Sequence, residues 1–253
     1  LYFFHALLLL AVLKKKEYWL LLLGPIATLQ KESIVALLVV ILIFQIYHRW
    51  RKEAHMSAIL WTAIALALSI LTKEWVNHHF TPVESGRSSL ITLLFHARET
   101  LLNPFRLVRW ITGVFMAYGP LFLLALWHIR KNGVAVKKYP LLGGLVLIHL
   151  GLSLFGGGDF TRLAFLGFPF IMTWTLIHLK DVRGFLFKSA LIFGLPLMKV
   201  LSNIPDPAIT GWEKFYNWYP EFANPVIVIL WLGYGALCLL VFRTIEKKLA
   251  KLP

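Results

Sequence analysis

The sequence predicts an all-α fold: a polytopic helical transmembrane bundle of about eight or nine apolar segments. One of these is a broken or re-entrant pair, and an outer loop carries an interfacial helix. Three observations predict it. The 253 residues are 58% hydrophobic and 15% charged, with a mean hydropathy of +0.72, whereas a soluble domain carries about 25% charged residues. Apolar runs recur along the chain, and its length allows about eight or nine crossings at ~20 residues each. Aromatic residues gather near the ends of the runs (Tyr18, Trp19, Tyr47, Trp50, Trp75, Trp110, Tyr139, Trp212, Trp218, Tyr219), where amphipathic rings settle at a membrane interface.

The runs fall at about 1–13, 18–29, 34–47, 57–72, 108–128, 139–155, 163–179, 185–201 and 225–242. Helices are expected in them because hydrocarbon leaves no partner for an open backbone group. The first run opens at Leu1 with no basic n-region and no small-residue cleavage site, so it does not read as a signal peptide. An upstream part of the protein is expected to precede it. The second and third runs are separated by Gly24-Pro25 and the polar stretch Gln30-Lys31-Glu32-Ser33. A break is expected there, since proline costs a helix one hydrogen bond.

After the fourth run, residues 73–107 form a polar outward segment with Pro82 and Gly86. Within it, 88–102 has helical periodicity, with Leu90, Leu93, Leu94, Ala97 and Leu101 on one side. That pattern predicts an interfacial helix. Pro169 is expected to bend the 163–179 helix. Residues 202–224, with Pro205, Pro207 and Pro220 among aromatics, read as an ordered loop lying on the membrane. The whole is read as a single transmembrane domain, 1–253.

The net charge of +14 is spread between the apolar runs. It therefore argues for a positive-inside bias and affinity for anionic lipids rather than nucleic acid. With Lys14-Lys15-Lys16 placed in the cytoplasm, alternation puts 17 of the 26 basic residues on that side. The other face holds nine basic and eight acidic residues. The alternation works only if residues 18–47 cross twice or re-enter. No glycosylation sequon and no long polar domain is present, which points to a bacterial inner membrane. A single cysteine, Cys238, rules out an internal disulfide framework and reads as packing.

Two polar groups stand out, because charge at bilayer depth is expensive and marks function. In the first, Lys31 and Glu32 are either a self-neutralising ion pair or a cation that holds phosphate while Glu32 orients it; Ser33 is placed to cap the next helix. In the second, Gly156-Gly157-Gly158-Asp159-Phe160-Thr161-Arg162, glycines allow close backbone approach and Asp159 is placed as a helix N-cap. Arg162 is either a snorkelling side chain or a fork onto phosphate. The first outer segment adds Lys73, Glu74, His78, His79, Glu84, Arg87, His96, Arg98, Glu99, Arg106 and Arg109, read mostly as solvated loop charges. Glu74 and His78 share a helix face, a spacing common without a metal; no metal or other cofactor is expected. His149, inside an apolar run, reads as a bonded interior residue. No Walker loop, HExxH, GxSxG or paired CxxC occurs, so phosphate-driven pumps and the common hydrolases lack support.

The stretch from Trp19 to Ser33 resembles the "GLALLTKET" element of polytopic GT-C glycosyltransferases. Asp159-Phe160-Thr161-Arg162, followed by Pro169, resembles their late outward-facing arginine and proline-containing helix. The resemblance covers two short motifs plus topology. It implies transfer of a sugar from a polyprenyl-phosphate-linked donor at the non-cytoplasmic face. It also implies that Lys31 and Arg162 hold the lipid phosphate, supported by Glu32, Ser33, Asp159 and Arg87. The family's acidic base sits in the first outer loop, a region that would lie upstream of Leu1. Within this chain Glu74 is the substitute candidate. Three other readings stay open: a polysaccharide polymerase or ligase, a transporter of lipid-linked substrate, and a non-catalytic subunit partnered by other membrane proteins.

Overall fold

The computed structural model describes residues 2–31, 33–80, 89–132, 139–156, 160–198, 207–219 and 222–249. Among them every regular element is helical. The chain divides into two compact units, Leu1–Arg87 with Tyr139–Ile148, and Ser88–Lys138 with His149–Pro253.

The first unit contains α1 (Tyr2–Leu13), a 3-10 turn (Glu17–Trp19), α2 (Leu20–Gln30), α3 (Ser33–Trp50) and α4 (Met56–His79). Leu8, Leu20, Ala27, Ile34, Leu37, Leu38, Ile41 and Ala65 are fully enclosed. A Cβ built on Gly24 would lie 2.8 Å from Ser69 Oγ and 3.2 Å from Leu38 Cδ1. The absence of a side chain there lets α2 approach both neighbours, as small residues do between membrane helices.

The expected break is present, but not at Gly24-Pro25. Helix α2 runs through Pro25, and the Thr28 hydroxyl adds a hydrogen bond to the Gly24 carbonyl (2.9 Å). The helix stops instead at Lys31, whose backbone is extended (φ −159°, ψ 123°). The Lys31 N–H still closes α2 on the Ala27 carbonyl (3.0 Å), and its carbonyl accepts from Ile34 N–H as α3 begins (3.2 Å). One extended residue thus links two hydrogen-bonded ends. A single proline removes one donor, whereas a charged pair in an apolar run favours leaving the helix, and here the second effect wins.

In the second unit, α5 (Ser89–Leu102) and α6 (Pro104–Asn132) lead to α7 (Pro140–Phe155), which begins in the first unit. Then come α8 (Phe160–Phe165), α9 (Phe168–Leu179) and α10 (Gly184–Ile192). A 3-10 turn (Leu195–Met198), α11 (Pro207–Thr210), α12 (Trp212–Trp218) and α13 (Pro225–Leu249) complete it. Helices α8, α9, α10 and α13 all pack on α6. Tyr118 on α6 donates to the Ala164 carbonyl and stacks on Phe165 and Phe168. Asn224 caps α13, its Oδ1 accepting from Ile227 N–H (3.0 Å).

Three apolar runs are divided where one helix was expected. Helix α6 is interrupted at Gly119 (φ 67°, ψ −165°), just before Pro120. The 163–179 run splits at Gly167, where a Cβ would come 2.6 Å from His149 Cβ. Pro169 therefore starts α9 rather than bending a longer helix, in the first turn where its missing N–H is no loss. The 185–201 run ends its α-helix at Ile192, shortly before Pro196. Within 88–102 a helix is present, α5 at Ser89–Leu102. Its Ile91, Leu94, Leu101 and Leu102 are uncovered by protein. The 202–224 segment carries the short helices α11 and α12.

Four of the described helices are long and apolar enough to cross a membrane: Ser33–Trp50, Met56–His79, Pro104–Ile129 and Pro225–Leu249. Only 22% of the most apolar stretch of α13 is buried by protein, and the same share of α4. Exposing so much Leu, Ile and Val to water would forfeit most of the hydrophobic stabilisation, so the solvent for these faces is lipid. The shorter apolar helices α1, α7, α9 and α10 fall below the ~20 residues a crossing needs. Among the described residues four helices thus have the length and composition of a full span and four more are shorter apolar helices; eight or nine crossings are not established.

Candidate functional site

In the first unit, Lys15 and Glu17 line one cavity with Ala54 and Ala58, while Gly24 faces Ala65 and Ser69. Helices α2 and α4 therefore run in the same direction, with α3 returning between their ends. This brings the Lys14–Lys16 turn and the Arg49–Lys52 turn to one end of the unit, as the charge pattern requires. Lys31, exposed, falls at the opposite end. The helical rise places it at the level of Lys73 and the exposed Glu74 of α4. Ser33 is the first residue of α3; its buried Oγ has no hydrogen-bond partner. Glu32 and Arg87 lie outside the described residues.

The second unit holds a cationic group in a segment whose composition suggests solvated loop charges. Helix α6 begins at Pro104, so Arg106 and Arg109 lie one turn apart on it rather than in a loop. The Arg106 guanidinium sits 4.9 Å from the Phe160 ring centroid, and Arg109 the same distance from Phe105. Arg106 Nη2 lies 2.9 Å from His96 Nδ1. Arg109 Nη2 donates to the Ala223 carbonyl (2.9 Å), and its Nε is buried without a partner. Trp110 Nε1 donates to Ser153 Oγ (2.8 Å), which donates to the Leu150 carbonyl (2.8 Å). That chain ties the start of α6 to the end of α7.

Electrostatically this is a concentrated site. A helix N-terminus already carries about half a positive charge, which disfavours nearby cations. Arg106 and Arg109 sit there nonetheless, half-buried and held by ring faces, with Glu99 the carboxylate acting on Arg106. Such an arrangement attracts an oxyanion, and guanidinium forks suit phosphate. Arg162 is the third residue of α8, two positions beyond the Phe160 that supports Arg106. Its side chain lies outside the described residues, as does Asp159. The clue to Arg106 and Arg109 was Asn103-Pro104, a helix start with proline in the first turn.

Among the described residues no group of three His, Cys, Asp or Glu could hold a metal. His149 is buried against the Phe170 ring (4.9 Å) and Cys238 is buried in α13. Comparison with known proteins gave no match to a family model, a curated protein or a solved structure.

Proposed function

We propose that this chain belongs to a multi-pass membrane glycosyltransferase of GT-C type in a bacterial inner membrane, with α5 as an interfacial helix. It moves a sugar from a polyprenyl-phosphate carrier to an acceptor at the non-cytoplasmic face. The observation that carries the reading is the pair Arg106 and Arg109 at the start of α6, with Arg162 on the helix that supports Arg106. An acceptor hydroxyl attacks the anomeric carbon, the bond from that carbon to the phosphate oxygen breaks, and polyprenyl phosphate leaves with the electron pair. The arginines stabilise the charge that builds on the leaving phosphate. A carboxylate takes the acceptor proton; Glu74 is the candidate within this chain. In the first unit Lys31 is the candidate cation for the lipid phosphate.

The test is retention of polyprenyl phosphate by the purified chain in nanodiscs, read by native mass spectrometry. Arg162→Ala and Arg106→Lys, the second keeping charge but losing the fork, are each expected to lower retention at least tenfold. Undiminished retention in both variants would remove the assignment. One observation favours a second reading. Each unit contains an interrupted helix, at Lys31 and at Gly119, and transporters place such breaks at their substrate sites. Counterflow of labelled lipid-linked substrate in vesicles, without sugar transfer, would establish that reading instead.

A further inference from the structure

At the lysine-rich end of the first unit, away from Lys31, a cavity of about 190 Å³ opens among the turn after α1, the end of α3 and the start of α4. It is far larger than one water requires. Its polar lining is Lys15, Glu17, Gln45, His48, Glu53, His55 and Ser57. Gln45 is only 3% exposed, yet neither its amide oxygen nor its amide nitrogen has a hydrogen-bond partner. A buried amide left open on both atoms costs stability and waits for a partner in the cavity.

Three further features describe that partner. The 24-residue helix α4 starts at the cavity with His55 as N-cap and no side-chain cap, so N–H groups of its first turn remain available to an oxyanion. Lys15 adds a positive charge. Glu17 and Glu53 add negative ones, Glu53 being 2.6 Å from His48 Nδ1. A simple anion would meet two carboxylates, and a simple cation would meet Lys15 and a helix N-terminus. A molecule carrying one charge of each sign satisfies both.

Backbone strain lies beside the cavity. Two helix ends close with the same motif: Lys16 N–H reaches Ala11 O and Glu53 N–H reaches His48 O. Each places a left-handed residue that is normally glycine. Here these residues are Lys15 (φ 55°) and Lys52 (φ 61°), the two non-glycine residues with positive φ among the described residues. Strained backbone of this kind clusters at ligand sites. Tyr18, Trp19, Tyr47 and Trp50 project from the same end, the ring belt that marks a headgroup layer.

We propose that this cavity binds an ethanolamine phosphate group, its phosphate at the α4 N-terminus and Lys15, its ammonium at the carboxylates, and Gln45 bonding to it from the floor. The group belongs either to a phosphatidylethanolamine headgroup or to a free phosphate ester of ethanolamine. The test uses the purified full chain. Calorimetric titration with glycerophosphoethanolamine probes the free ester. Native mass spectrometry after release from phosphatidylethanolamine or phosphatidylglycerol nanodiscs probes the lipid. Binding or selective lipid retention is expected in one of the two arms, and the arm that responds identifies the source. Glycerol phosphate and ethanolamine, each carrying one half of the charge, are expected to bind at least tenfold more weakly. Gln45→Leu, which keeps the fold by replacing an orphaned amide with an apolar group of similar size, is expected to weaken binding at least tenfold. Lys15→Gly, which relaxes the turn while removing the cation, is expected to do the same. No binding in either arm, or binding unchanged in both variants, would overturn the proposal.

Discussion

The two helix interruptions differ in what makes them. At Lys31 the backbone is extended, a conformation any residue adopts, and the break is written in charge. At Gly119 the backbone is at φ 67°, ψ −165°, a region essentially reserved for glycine, and the break lies inside an apolar run. Hydropathy registers the first and passes over the second. Polarity and backbone geometry are therefore separate ways of interrupting a membrane helix, and only the first changes the composition of the run.

The largest expected effect separates them directly. Gly119→Ala forces a Cβ into the glycine-only region and should cost about 2–3 kcal/mol. Lys31→Ala, at an exposed and permissive position, should cost under about 0.5 kcal/mol. Reversible unfolding in mixed micelles measures both, and equal losses would break the comparison. A smaller effect sharpens it on the Lys31 side. Gly24→Ala places a Cβ 2.8 Å from Ser69 Oγ and should destabilise by about 1–2 kcal/mol. Adding Ser69→Ala should recover most of that loss, since the clash is with a side chain rather than backbone. A double-mutant cycle without coupling would show that α2 is held elsewhere. The last of these effects is a gain. Lys52→Gly relieves a left-handed lysine and should raise stability by about 1 kcal/mol, seen as a higher unfolding midpoint.

The same distinction explains how much was legible beforehand. The helix at Ser89–Leu102 and the break at Lys31 were readable because periodicity and charge announce them. The split at Gly167 was not, because it depends on His149 of α7 lying close enough to exclude a Cβ. Nor were Arg106 and Arg109, because their surroundings are rings and a carbonyl brought in from distant positions, Phe160 and Ala223. Glu32, Asp159 and Arg87, candidates in the sequence, lie outside the described residues. What composition and periodicity convey is local; what makes a cation cluster is tertiary.

The extended residue at the end of α2 also has an electrical consequence. From Glu17, one 3-10 turn and eleven α-helical residues span at most about 22 Å before Lys31. The return along α3 from Ser33 to His48 covers about the same distance. One helix length therefore separates Lys31 from the lysine-rich end of the first unit. That separation exceeds the roughly 8–10 Å screening length of ordinary salt, so the charge of Lys31 and that of the lysine-rich end act independently of each other.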